Sequence, residues 1–363
     1  MRETCNPADP SLTYSIFFFD TILPGGSARA GGERRYDKML SQESHPKMRI
    51  IGLLAIAVCV GPMTTAQQTD PLPGAKLNLD QIKEQFFRVS AGRRIRPKSW
   101  PNGARVAVAL SFDVDNATHA LARGILGANE LSIGEYGAID GLPRILRVLE
   151  KHGVPASFFI PAVSDLLHPQ MVRDILAGGR NEVAVHGWIH EDLPALNNEA
   201  EEKRLLSDAI ASLTKSMGKR PVGYRAPSWA FSRYTMQQVK DEGFLYDSSL
   251  MASDDAYEVL LAGKPSGVME LPIGWILDDY PYFGGTAGTL PSPELVRQVF
   301  ESEFDAAYTE GGLYVLTLHP HITGHRARAA ALDQLIAHMR SRTGVWFATH
   351  EDIARYLRAQ AGL

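Results

Sequence analysis

The sequence predicts an α/β fold built as one βα-type barrel in a single domain, and three observations carry that prediction. Short apolar runs rich in Val, Ile and Leu recur along the chain. Stretches with apolar residues at helical spacing lie between them, so that strand and helix alternate about seven times. No Pro/Gly-rich linker divides the series, and no internal repeat or low-complexity tract replaces it.

Val106-Ala107-Val108-Ala109-Leu110-Ser111-Phe112 is apolar but for Ser111, the mark of a strand covered on both faces. Leu142, Ile145, Leu146 and Leu149 then share one helical face, and Gly153 supplies the stop. Strands are expected at 156–160 and 182–185, with a helix over 168–177 between them. A helix over 198–217 leads to a strand at 223–226, and one over 233–242 to a strand at 271–275. Helix 292–308, strand 313–318, helix 326–341, strand 345–348 and helix 350–359 complete the series.

Charge limits the function. The 363 residues carry 37 Lys+Arg against 41 Asp+Glu, a net charge of −4, with no run of like charge. A nucleic-acid binder concentrates Lys and Arg in a stripe, so that class is set aside. Hydrophobic residues make up 45% of the chain, enough for a sizeable core.

Lys47-Met48-Arg49 precedes an apolar run from Ile50 to Val60, then Gly61-Pro62 and small residues up to Ala66. Basic flank, short apolar stretch and Ala-type exit read as a secretory signal peptide over 48–66. A stable membrane span needs about 20 apolar residues and is not expected here. A signal opens a chain, so Met48 is read as the initiator and 1–47 as upstream translation. Residues 67–104 read as a lead-in and 105–363 as the barrel domain, in a protein expected to be exported to the periplasm or secreted. Cleavage after Ala66 would remove both cysteines, Cys5 and Cys59, and leave 30 basic and 35 acidic side chains, a net charge of −5. Any metal in the mature chain must then be held by His and carboxylate.

Ligand-type residues gather just after predicted strands, where α/β enzymes keep their active sites. These are Asp113-Val114-Asp115, His186-Gly187-Trp188-Ile189-His190 and His319-Pro320-His321, with Arg225-Ala226-Pro227-Ser228-Trp229 after a fourth strand. Singly, Asp-x-Asp suits a helix cap and His-x-x-x-His is common on surfaces. Together, one carboxylate and two imidazoles make an open catalytic metal set with room for water. His45, His119, His152, His168 and His338 read as surface, loop or helix residues, and His321 and His325 as loop polarity. The chain has no His-Glu-x-x-His, Gly-x-Ser-x-Gly, phosphate-loop or Gly-x-Gly-x-x-Gly motif, which removes the main support for zincin, serine hydrolase, nucleotidase and dehydrogenase readings.

In order and spacing, Ser111-Phe112-Asp113-Val114-Asp115, His186…His190, Arg225-Ala226-Pro227-Ser228-Trp229 and Leu316-Thr317-Leu318-His319 resemble the motifs of the polysaccharide deacetylase family, the homologues of nodulation protein B. The similarity spans about Arg105 to Arg355. It implies a distorted (β/α) barrel of seven units and a metal-dependent hydrolase of amide bonds other than peptide bonds. It implies that Asp115, His186 and His190 hold one divalent metal ion, zinc first, with cobalt and nickel as alternatives. Asp113 would be the general base that deprotonates the attacking water, Arg225 its orienting cation, and His319 the general acid for the departing amine.

Val114 separates two acids that are adjacent in most of the family, Gly187 stands where Ser or Thr is usual, and Pro-Ser-Trp replaces Pro-Tyr. These variants resemble a sub-branch of peptidoglycan deacetylase homologues, cyclic imide hydrolases and cofactor-independent allantoinase. That branch often has Gly-Glu after the second acid, where this chain has Asn116-Ala117. Trp188 and Trp229 are expected to line the pocket, and Trp275, with Tyr280, Tyr282 and Phe283, to offer stacking surfaces for a sugar ring. Asp247 either bonds in the Arg225 neighbourhood or caps a turn. The leading expectation is N-deacetylation of chitooligosaccharide or peptidoglycan. A small cyclic amide substrate and a silent glycan-binding role are the alternatives, and homo-oligomerisation stays open.

Overall fold

The structure, a computed structural model, describes residues 73–284 and 290–363, so the segments read as signal peptide (48–66) and upstream translation (1–47) lie outside the described residues. One curled sheet comprises β1 (Val89–Arg94), β2 (Val106–Asp113), β3 (Ser157–Ile160), β4 (Glu182–Val185), β5 (Gly223–Tyr224), β6 (Tyr246–Asp247), β7 (Tyr257–Leu261), β8 (Lys264–Glu270), β9 (Leu313–Leu318) and β10 (Val345–Phe347). Parallel pairing runs β9-β2-β3-β4-β5-β6-β8, and the β7–β8 hairpin and β1 add an antiparallel margin. The distortion sits at β2, whose one edge pairs with β10 through Val106–Val108 and with β3 through Ser111–Asp113. Beyond β8, Asp278 makes a parallel bridge to Thr317 of β9, so the chain curls round toward closure. This is the distorted (β/α)7 barrel that the sequence led us to expect.

Side-chain alternation sorts the barrel into layers. Val106, Val108, Leu110 and Phe112 of β2 pack outward against helices, with Ile145, Leu149, Ile175, Ile210, Val239, Phe300 and Leu335 among the residues they join. Ala107 and Ala109 point inward, with Phe159, Ala184, Met269 and Val315. Small inward residues suit a narrow barrel: a Cβ at Gly223 would lie 2.1 Å from the Tyr246 ring. Carried to the strand ends, the inward parity delivers Ser111 and Asp113, then Ala184 and His186, then Gly223 and Arg225, and finally Thr317 and His319. The site residues are therefore the last inward positions of their strands.

Two expectations are corrected. The strand predicted at 271–275 lies earlier, as β8, and Trp275–Leu277 forms a short 3-10 turn. Pro272 lacks the N–H that a ladder requires, whereas β8 opens on Lys264-Pro265-Ser266-Gly267 and shows no apolar run to read. The lead-in is part of the fold: β1 pairs antiparallel with β7, and Ile95 and Trp100 are buried. The polar face of an edge strand hides it from hydrophobic patterning.

Candidate active site

Asp115, His186 and His190 meet at the C-terminal mouth of the barrel, their ligand atoms all within 4.8 Å of one another. His186 Nε2 is 3.5 Å from Asp115 Oδ1, and His190 Nε2 is 3.6 Å from Asp115 Oδ2. Asp113 Oδ2 lies 3.8 Å from His186 Nε2, and His319 Nε2 lies 3.7 Å from Asp115 Oδ2, so base and acid candidates border the set at different members. All five side chains are buried.

The backbone holds this geometry with left-handed turns. Asn116 (φ 50°) follows Asp115, and asparagine tolerates that conformation; its Nδ2 donates to Ser164 Oγ at 2.8 Å. Gly187 (φ 75°) and His190 (φ 65°) bend the loop between the two histidines. Glu191 closes that loop, its carboxylate accepting from the backbone N–H groups of Trp188 and Ile189 at 2.9–3.1 Å. Arg225 is fully buried. It donates from Nη1 to Asp113 Oδ1 at 2.6 Å and Ser111 Oγ at 3.0 Å, and from Nε and Nη2 to the carbonyl and hydroxyl of Ser248 at 2.8 and 2.9 Å. Its guanidinium also lies over the Phe159 ring, 3.8 Å from the centroid.

Burial pushes the Asp113 carboxyl up, but Arg225, with His186 and His319 nearby, more than reverses this and holds it at about 2. Burial pushes the His186 imidazole down, and takes His190 down to about 4. Both rings are thus neutral, as metal ligands must be. His186 Nδ1 sits 2.9 Å from the Arg225 carbonyl and donates to it, which leaves the Nε2 lone pair facing Asp115. Burial alone would lower His319. Asp279 Oδ1, 2.7 Å from its Nδ1, with Asp115 and Asp278 nearby, raises it well above the usual histidine range. Asp279 Oδ2 also accepts from the His319 N–H and the Thr323 hydroxyl, so this aspartate is a fully bonded holder of the ring.

The structure brings together Asp113, Asp115, His186, His190, His319, Trp229 and Trp275 around one pocket, whose space is about 470 Å³, with Arg225 behind Asp113. Trp229 directs Nε1 toward Asp113 Oδ2 at 3.4 Å and lies against the half-exposed Trp275, centroids 4.3 Å apart and planes tilted by 33°. Trp188 is a correction: the turn at Gly187 sends its ring to pack against the core, and it does not line the pocket. Tyr282 and Phe283 likewise pack on the core, while Tyr280 lines the pocket. His119, read as a surface, loop or helix residue, lies on the short helix Thr118–Leu121 and also faces the pocket. Asp247 accepts from Ser249 Oγ, and its neighbour Ser248 is the residue that bonds Arg225. Sequence reasoning missed Asp279, Ser248 and Glu191, which act through other residues and carry no spacing signal.

A profile of the family described as polysaccharide deacetylase matches residues 135–246. The peptidoglycan deacetylase of Helicobacter pylori is 28% identical over 69% of this chain and 95% of its own length. A crystal structure assigned to a polysaccharide deacetylase of Mycobacterium smegmatis is 37% identical, with a TM-score of 0.67, over 74% of this chain and 96% of that one. The chain belongs to the polysaccharide deacetylase family. As a family member it is a hydrolase of C–N bonds other than peptide bonds. The structure of the allantoinase PuuE is also similar, 26% identical with a TM-score of 0.66 over 73% of this chain and 94% of that one.

The residues of this deacetylase-family site fit a divalent cation. Besides two neutral imidazoles, Asp115 Oδ1 is buried without a hydrogen-bond partner, an anionic lone pair with nothing else to satisfy it. Among the described residues, Asp278, Asp279 and His319 are a second group of ligand type, but Asp279 spends its oxygens on His319 and Thr323. A general acid works while protonated, so the raised His319 predicts an alkaline limb of kcat/KM above the ordinary histidine range. Asp279→Asn removes the anion that raises it, and that limb moves down toward about 6.5. A pH–rate profile checks this; an unmoved limb would separate Asp279 from the acid.

Proposed function

We propose that this chain is an exported hydrolase that removes N-acetyl groups from N-acetylglucosamine-type glycan, chitooligosaccharide or peptidoglycan, with Asp115, His186 and His190 holding a divalent cation, zinc before cobalt or nickel. The observation that carries the reading is the single pocket in which an Arg-paired Asp113, an Asp/His/His donor set and an Asp279-held His319 converge. When bound, the cation supplies acidity to water and polarises the amide carbonyl. Asp113, ionised and fixed by Arg225, accepts a proton from the attacking water. His319 Nε2 gives a proton to the amide nitrogen, which otherwise leaves poorly, while Asp279 steadies the imidazolium. Trp275, half-exposed and backed by the buried Trp229, offers an apolar face on which a sugar ring can stack. Export rests on the signal-like segment 48–66, and among the described residues no helix is long and apolar enough to cross a membrane.

Similarity to PuuE allantoinase favours a second reading, ring opening of a small cyclic amide at the same site. Purified residues 67–363 should release acetate from chitooligosaccharides or peptidoglycan, lose that activity to chelator and regain it with added zinc. Ring opening of cyclic imides without acetate release would select the second reading. Silence on both substrate classes, with metal bound, would overturn the enzyme assignment in favour of glycan binding.

A further inference from the structure

Arg123 is a cation of the pocket to which the reaction above gives no task. It lies beyond the short helix Thr118–Leu121, is exposed, and lines the same pocket as Asp115, His190 and Trp275. Its Nη1 sits against the His119 ring nitrogens, 2.8 Å from Nδ1 and closer still to Nε2, and the His119 ring stands edge-on to His190 with centroids 5.2 Å apart. An imidazole nitrogen that accepts a hydrogen bond is uncharged, so His119 aims the guanidinium without cancelling it. Of the pocket carboxylates, Asp113 is paired with Arg225, Asp278 lies beside His319, and Asp115 faces the two ligand histidines, where a bound cation would take it up. Among the described residues Arg123 has no ion-pair partner. Because His119 meets only Nη1, the Nε–Nη2 edge is left for two-point pairing with a planar anion.

We infer that Arg123 is a specificity-determining residue that receives a carboxylate of the substrate, so that the site takes acidic N-acyl sugars, such as a muramic-type unit with a free lactyl carboxylate, ahead of neutral ones. The inference rests on the amide-hydrolase reading and names its substrate class. With the exposed face of Trp275 for the ring and the cation for its acidic substituent, the pocket sorts the sugar by charge.

The test uses the metal-loaded chain and one disaccharide in two forms, N-acetylglucosaminyl-N-acetylmuramic acid and the same molecule with its lactyl carboxylate converted to a neutral amide. The acid form should have a kcat/KM at least about tenfold higher, the scale of one charge-assisted hydrogen bond. Arg123→Ala should bring that ratio close to one through KM, Arg123→Lys should keep part of it, and added salt should shrink it in the parent protein. Equal rates on the two forms, or a parallel fall for both in Arg123→Ala, overturns the inference. If neither form is hydrolysed, deacetylation of these sugars fails, and equilibrium binding then decides Arg123 by itself. Tighter binding of the acid form, lost in Arg123→Ala, supports the inference, and equal binding of the two forms overturns it.

Discussion

Replacing Asp113 by Asn lowers turnover by about 10²- to 10⁴-fold, the usual share of a general base, while the metal content of the purified protein stays at the parent level. The carboxylate is placed to move a proton and, as the partner of Arg225, to balance a buried cation. One oxygen is tied to Arg225 at 2.6 Å, and the other faces the donor set, 3.8 Å from His186 Nε2. A carboxyl held at about 2 is ionised throughout the working range, so the parent protein loses none of this base on mild acidification. It accepts a proton only from water already made acidic, and so it belongs next to a cation site. Asparagine keeps the shape and removes the basic lone pairs. It also leaves the fully buried Arg225 without its anion, and breaking a buried pair from one side costs about 3–5 kcal/mol. Ser111 Oγ and the two Ser248 oxygens still accept from the guanidinium, which offsets part of that cost. Thermal unfolding of Asp113→Asn should therefore shift downward while the protein stays folded at assay temperature. A variant that keeps most of its rate removes Asp113 from the base role.

Much of this site was legible because strand periodicity and ligand chemistry point the same way. Asp113, His186, Arg225 and His319 each follow an apolar run, and the period of two that buries the run also carries these side chains to the inner face. Other parts left no periodic mark. Asp279 reaches His319 across 40 residues, and Glu191 acts on two backbone N–H groups, so neither role shows in local spacing. Trp188 sits inside a motif, yet a left-handed turn at Gly187 redirects it, because adjacency in sequence does not fix direction once the chain leaves the strand. His119 was missed for the opposite reason: it belongs to a four-residue helix too short to display a face. Strand β6 is two residues long and β1 is a half-exposed edge, so hydrophobic patterning finds the long buried strands and loses these two.

His186→Ala abolishes stable metal binding, and activity falls with it. The side chain is almost wholly buried, its Nδ1 is committed to the Arg225 carbonyl, and its Nε2 stands within 3.5 Å of Asp115. It cannot be replaced by a small rotation of a neighbour: His190 already supplies its own nitrogen to the set, and His119 is turned to Arg123. Outer partners of a ligand alone are worth about 10- to 100-fold in metal affinity, so losing the ligand itself should exceed about 100-fold. Metal analysis after dialysis reads this directly. A second readout is independent of catalysis. A ligand at 100 times its dissociation constant adds about 2.7 kcal/mol of stability, so added zinc should raise the melting temperature of the parent protein and leave that of His186→Ala in place. The variant also leaves the Arg225 carbonyl without its donor and opens a cavity, so its metal-free form should melt below the metal-free parent. Comparing the two proteins with and without zinc separates that structural loss from the loss of the ion. Undiminished zinc content, or an equal zinc-dependent rise in both, would mean that the ion sits elsewhere than between Asp115, His186 and His190.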